Sequence, residues 1–496
     1  MNTGSNAKFW RGAKLAALAF AVTTPLSSCK DGGYGSDKEI AAAGSCPEGF
    51  GWAEGLQGYL NPTATMPTTM SATADDCLFN QWSWEAFVWA NAPIDGTPRF
   101  LTWQVPDDLL TNTSEVPRTS LLRLDVHMKP LHMADGAPSQ DGAIVEADGS
   151  MLIGQNGYPV YASSHMTPNY FDVIKRNLIA TGAYQNNPNQ DDYFSVGDAI
   201  VKATWYRLAA GEAAPAGSYT TQAEVPVLQN NCNGANCTVV PSGKYETVTV
   251  ALVGMHVVGY VENHPEFVWA TFEHKLNAPM FADNSFVFDA NASDPGNYTF
   301  YKAGTPYSQA ALLVETNTNP ATVTFDAATG KFSPITQVVQ MNKTGGDTQP
   351  NGPANITAIN VASQGAAANF PNNSPLQNYN LIGTAWFKPN TYVTTNANWQ
   401  TLNQTNAVGA ISLMNTTAET FLQSAKGQQG HNCFECHSAT SFSYVGIQPK
   451  ALTPRRIAIS HMVAMGSAYE VPNTLPVTAG GSPAAKTTAI KAVQKK

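Results

Sequence analysis

With 496 residues, 43% of them hydrophobic and only 13% charged, the chain has the length for one large or two moderate domains, and its surface must be built mainly from Asn, Gln, Ser and Thr. Its 27 basic and 36 acidic residues leave a net charge of −9, which argues against nucleic acid as a partner. No phosphate-binding glycine loop, dinucleotide fingerprint, nucleophile elbow or H-E-x-x-H helix occurs, so nucleotide and hydrolase chemistry find no support.

The first residues read as an export signal. Lys8, Arg11 and Lys14 precede an apolar stretch from Leu15 to Leu26 that is shorter than the roughly 20 residues a membrane-spanning helix needs. The signal peptide is therefore placed at 1–28, and its loss takes away three basic groups and no acidic ones, moving the charge from −9 to −12. Its end, Leu26-Ser27-Ser28-Cys29, resembles the bacterial lipobox, which implies a lipid-modified Cys29 as the mature N-terminus; a stray cysteine after an ordinary signal is the alternative. Several acyl chains on one residue hold a soluble body stably at a membrane surface. Lys30 stands where an Asp usually retains such lipoproteins in the inner membrane of Gram-negative bacteria, so the resemblance favours the outer membrane, on its periplasmic or exterior face. Residues 29–45 form the expected lipid-anchored tether.

The body is expected at 46–414. Thr73-Ala74-Asp75-Asp76 supplies helix-start chemistry, and Phe79, Trp82, Ala86 and Trp89 follow at helical spacing, with Trp84, Phe87 and Val88 widening the apolar arc. Packed core is the first reading of that aromatic helix, a ligand-pocket wall the second. Phe100 to Val105 and Ala199 to Leu208 read as strands. Thr247 to Val261 and Phe267 to His274 read as a hairpin turning across Glu262-Asn263-His264-Pro265. In its second strand Phe267, Trp269, Thr271 and Glu273 share one face, with Val268, Ala270, Phe272 and His274 on the other. His256 and His274 are then expected in mainly apolar surroundings, as hydrogen-bonded core residues rather than ligands or proton carriers. Residues 285–410 are rich in Asn, Thr, Ala, Gly and Pro; Ala321 to Phe325 and Leu381 to Phe387 are strand patches, and Gln349 to Asn373 reads as loop.

Residues 415–470 carry the chemistry. Thr416-Thr417-Ala418-Glu419 fits a capping box ahead of a short helix bearing Phe421 and Leu422, broken at Gly427 and Gly430. Then comes Cys433-Phe434-Glu435-Cys436-His437, the C-x-x-C-H attachment sequence of c-type haem. Two thiols three residues apart on one turn can add to the haem vinyl groups while the next imidazole takes the iron. A zinc site, with His431 as a fourth ligand, and thiol redox chemistry are the competing uses of the same pair. For the iron's other axial position His461 is the first candidate, with Met462 and Met465 as alternatives. Arg455 and Arg456 are suited to haem propionates, or form a solvated basic turn. Residues 471–496 read as a flexible tail.

Seven cysteines, less Cys29 and the haem pair, leave Cys46, Cys77, Cys232 and Cys237, an even number that suits two disulfides in an oxidising compartment. Three connectivities are possible. Cys232 and Cys237 flank an Asn/Gly-rich turn, which leaves Cys46 with Cys77 by elimination.

Residues 415–470 resemble a single-haem cytochrome c module, and Asn80-Gln81-Trp82-Ser83-Trp84-Glu85-Ala86-Phe87 and Phe267-Val268-Trp269-Ala270-Thr271-Phe272-Glu273-His274 are similar to segments of large bacterial mono-haem cytochrome c family proteins. The methionines lie closer to Cys433 than in a small cytochrome c, so the axial pair stays open. The expected fold is α+β, a mainly β body with a C-terminal, mostly helical or irregular haem segment. One covalent haem c would mediate electron transfer with a redox partner protein or a small-molecule donor or acceptor. A haem-dependent oxidoreductase with a pocket in the large body, or a haem-stabilised binding protein, is the alternative.

Overall fold

A computed structural model describes residues 46, 51–106, 108, 121–124, 151–179, 193–233, 236–280, 291–310, 324–341, 347, 349–372, 374–389, 391, 406–420, 423, 433–437, 443–444, 450–451, 459–460 and 462. The expected signal peptide at 1–28, Cys29 and the expected tether at 29–45 lie outside them.

One eight-stranded sheet organises the chain. Its strands are β1 (Leu122–Arg123), β2 (Val160–Met166), β3 (Ala199–Arg207), β4 (Thr220–Asn233), β5 (Asn236–Val261), β6 (His264–His274), β7 (Tyr379–Phe387) and β8 (Ala407–Gly409). They run β8-β7-β6-β5-β3-β2, with β4 antiparallel to β5 and the short β1 parallel to β4. The expected hairpin is β5–β6. Val261 pairs with His264 across a two-residue turn in which Asn263 adopts φ 63°, a conformation Asn tolerates. β5 starts at Asn236 rather than Thr247, and its additional first half pairs with β4, placing Cys232 directly opposite Cys237. Opposed antiparallel residues sit about 4.5–5.5 Å apart at Cα, within the range of a disulfide.

Strand alternation gives the sheet two buried faces. On one, Met255, Val257, Val268, Ala270 and Phe272 meet helix α1 (Asp76–Ala90). Asp75 caps that helix by accepting the Leu78 amide at 3.1 Å. The helix is the predicted one, and its aromatic stripe is core: Phe87 stacks on Phe272 and Phe79 on Trp386, each at 4.0 Å between ring centres. The indole N–H groups of Trp82 and Trp89 donate to the carbonyls of Pro67 and Ala64. A ring so placed has little left to offer a ligand.

Two expectations are corrected here. Phe100 to Val105 does not form a strand; Arg99–Thr102 is a 3-10 turn, with Gln104 making an isolated bridge to Met166. The Arg99 guanidinium imposes this by donating to the carbonyls of Asn61, Pro62 and Trp89. Nor is Gln349 to Asn373 a loop: Gly352–Ala367 is helix α3 (with Pro168–Ile179 as α2). Ile356, Ile359, Ser363 and Ala367 recur at three- and four-residue spacing and are buried. The amides that suggested loop serve as anchors, Asn360 donating to Leu381 O and Gln364 to Tyr379 O, both at 2.8 Å.

Cys46 and Cys77 form the predicted disulfide, closing a 31-residue separation for which chain entropy corresponds to about 4 kcal/mol. Beside it Asp76 and Asp347 meet carboxyl to carboxyl, while Asn80 and Asn355 donate to Asp76 at 3.0 and 2.9 Å. Burial pushes Asp76 up to about 6. Burial and then the charge of Asp76 push Asp347 up to about 8. The folded pair therefore keeps a proton that the unfolded chain releases above about pH 4. Its stabilising contribution is complete below that pH and is lost as pH rises through the folded values. Thermal unfolding should accordingly fall in midpoint from about pH 5 to about pH 9, and Asp347→Asn should flatten that decline. An equal slope in the variant would remove this pair as its source.

Candidate cofactor site around Cys433 and His437

The second face of the sheet alternates with the first, so Phe267, Trp269, Thr271 and Glu273 of β6 point to it, as predicted. The β5–β6 register sets Val258 beside Trp269, His256 beside Thr271 and Gly254 beside Glu273. One end is apolar. Tyr170 of α2 stacks on Phe194 at 4.2 Å, and both rings meet Phe267 edge-on.

The attachment sequence docks next to this end. Cys433–Cys436 is a single helical turn, α4, and the His437 amide extends it by donating to Cys433 O at 2.8 Å. Positions i and i+4 share a side of a helix, so Cys433 and His437 face one way. Phe434 faces the body instead, fully buried, 4.2 Å from the Phe387 ring and 5.9 Å from that of Trp269. The first variable residue of C-x-x-C-H is thus the peg that seats the motif.

His437 is oriented from two sides. Its ring lies 4.4 Å from Trp269, and Nδ1 is 2.9 Å from the carbonyl of Ile459. A carbonyl only accepts, so the proton of the neutral imidazole is on Nδ1 and the lone pair on Nε2. That tautomer, fixed by a hydrogen bond from the remote nitrogen, is what a metal-binding histidine requires. Trp269, Phe387, Phe434, Ile459 and Met462 belong to one buried apolar cluster beside it. These residues fit a haem held through Cys433 and His437: a ligand nitrogen is oriented, a thiol lies one turn behind it, and the wall is aromatic. Cys436 occupies the required position in α4, but its side chain lies outside the described residues, as do Arg455, Arg456, His461, Met465 and the alternative zinc ligand His431.

One step along the same face the character changes to polar. Successive same-face positions on a strand are about 7 Å apart, so the Thr271–His256 row adjoins the Trp269–Val258 row. His256 contacts Thr271 Oγ1 through Nδ1 at 2.8 Å and Glu419 through Nε2 at 2.9 and 3.1 Å, with Lys202 Nζ 3.6 Å from the same carboxylate. Burial alone would raise Glu419, but the charges of His256 and Lys202 outweigh it and hold the carboxyl below its usual range. The apolar surroundings expected for His256 are not found. His274 is the core residue expected, buried against the edge of Tyr379, with desolvation lowering it to about 4.

Residues 415–419 explain why Glu419 reads as a cap and acts as more. The described residues 416–420 form a turn rather than the expected helix start, with Asn415 Oδ1 accepting the Thr417 amide and the Asn415 backbone N–H donating to Glu419 at 3.1 Å. Glu419 reaches His256 from there. Thr416 in turn donates through its amide and hydroxyl to Glu273, which complete burial pushes up to about 7. The segment approaches β5 at Gly254, where an added Cβ would lie 2.2 Å from Thr417 Oγ1 and 2.6 Å from Thr204 Oγ1. Gly254→Ala should therefore cost about 1–3 kcal/mol in a denaturant titration. Stability within about 0.5 kcal/mol of the parent would contradict so close an approach.

Sequence reasoning singled out Cys433, Cys436 and His437 as candidates but did not anticipate Ile459 beside His437, or Lys202 and Glu419 beside His256. The Ile459 contribution is a backbone carbonyl and leaves no residue-type signal, while the charged pair is brought together by the sheet. No family model, curated protein or solved structure matches the chain.

Proposed function

We propose that this chain is an exported c-type haem protein that transfers electrons through one haem bound covalently by Cys433 and Cys436, with His437 as an iron ligand. The observation that carries the reading is the Nδ1–H of His437 donating to Ile459 O, because it fixes the tautomer with the lone pair on Nε2 that a metal-binding histidine uses, beside a buried apolar cluster. Bound haem would supply a one-electron couple. The chain's own residues orient the ligand, exclude water with Trp269, Phe387 and Phe434, and keep charge one row away. The partner is a redox protein or a small-molecule donor or acceptor.

The test is direct. Protein matured with a haem-attachment system should retain its colour after denaturation and acid-acetone extraction, and Cys433→Ala or Cys436→Ala should weaken that retention. Complete extraction of haem from the parent would end the proposal.

A second reading, a haem-dependent oxidoreductase, is favoured by one feature: the row holding His256, Glu419 and Lys202 adjoins the row of Trp269. Such a row could serve proton movement for chemistry at the iron.

Leu26-Ser27-Ser28-Cys29 supports a lipoprotein anchored through Cys29, and Lys30 after it supports the outer membrane of a Gram-negative cell as its location. Among the described residues no helix is long and apolar enough to cross a membrane. Mass spectrometry of the mature N-terminus should find a lipid-modified Cys29, whereas an unmodified terminus elsewhere would reject the anchor.

A further inference from the structure

We infer that Ile459–Met462 is a strap on the proximal side of the haem, and that neither Met462 nor His461 supplies the iron's sixth ligand. The inference rests on the haem reading above.

The argument is one of reach. Ile459 O accepts from His437 Nδ1, the nitrogen that points away from the iron, so the chain at Ile459 lies behind the proximal imidazole. A sixth ligand must stand on the opposite face of the macrocycle. To provide it, the chain would have to pass the imidazole and the iron and go round the porphyrin edge within three residues. Three residues span at most about 10 Å when fully extended. That length is consumed by the height from the carbonyl to the far face, before any sideways path round the ring.

The segment is also not extended. Met462 N donates to Ser460 Oγ at 3.3 Å, a local turn that shortens its span. Ser460 is further tied to the body by a hydrogen bond with Tyr170 on α2. Ile459, Ser460 and Met462 are all buried, Ile459 and Met462 in the same apolar cluster as Phe434 and Trp269. The strap is therefore held between α2 and the His437 side of the site. A residue between Ser460 and Met462 is bound by the same covalent reach, which extends the conclusion to His461.

Met462 thus acts as a packing residue, and Ile459 as a positioning residue that orients the ligand tautomer through its backbone. The sixth position is then left to a residue beyond this reach, to an exogenous ligand or to no ligand.

The experiment uses the full haem-loaded chain, with His461→Ala and Met462→Leu, read by electron paramagnetic resonance, optical spectra and carbon monoxide binding. Leucine keeps the buried volume at 462. Both variants should retain covalent haem, the parental axial signature and the parental response to carbon monoxide. Loss of that signature in either variant, with haem retained, would overturn the inference and leave the haem reading standing; a parent without covalent haem would overturn both. Should Met462→Leu fail to accumulate, proton resonance of the parent decides: a Met462 methyl shifted as an iron-bound thioether overturns the inference. An ordinary buried methyl, with a slowly exchanging His437 Nδ1 proton, supports it.

Discussion

The β5–β6 hairpin is the constraint on which the other parts depend, because both of its faces are buried and they are buried for different purposes. Met255, Val257, Val268, Ala270 and Phe272 close the aromatic core under α1. The alternate residues, Val258, Phe267 and Trp269, support the C-terminal motif. A one-residue slip in the pairing would exchange these sets and present the core to His437. The two-residue turn at Glu262 and Asn263 and the shift in pairing between Val261 and Gly259 together set that register, so local features of one hairpin govern the geometry of a site whose other half lies more than 150 residues later in the chain.

Along the second face the residues are ordered by polarity. Phe267 and Trp269 give way to Thr271 and Glu273, and each step changes what can be packed above it. The Trp269 ring receives Phe434 and His437; the Thr271 hydroxyl meets His256, which in turn holds Glu419, and the Glu273 carboxyl receives Thr416. Residues 415–420 therefore dock on the polar rows and residues 433–437 on the aromatic ones. Such an arrangement separates a low-dielectric pocket from a charged cluster without a domain boundary between them.

Legibility in the sequence followed the range of the interactions. Asp75 as a cap, the α1 stripe, the β5–β6 alternation and the C-x-x-C-H turn depend on neighbours within a few residues, and all were readable. α3 was not, because its Asn and Gln side chains serve β7 carbonyls some 15 to 21 positions away, and the same residue types ordinarily mark loops. Arg99 turned a strand-like run into a 3-10 turn by the same kind of remote contact. For the candidate site, the Cys433-to-His437 motif was visible, whereas the carbonyl that orients His437 and the sheet row that adjoins it depend on tertiary pairing alone.

The linkage of Cys46 to Cys77 has a mechanical consequence. Any pull applied at the N-terminal end of the chain reaches the fold at Cys46, whose backbone N–H is held by Asn355 of α3 at 2.7 Å and whose sulfur is joined to the first turn of α1. Force then bypasses residues 47–76 and enters α1, which packs on β5, β6 and β7, and α3, which packs on α1 and β7, rather than an edge strand that could be peeled away one hydrogen bond at a time. A body suspended from its N-terminus would resist tension through the core itself.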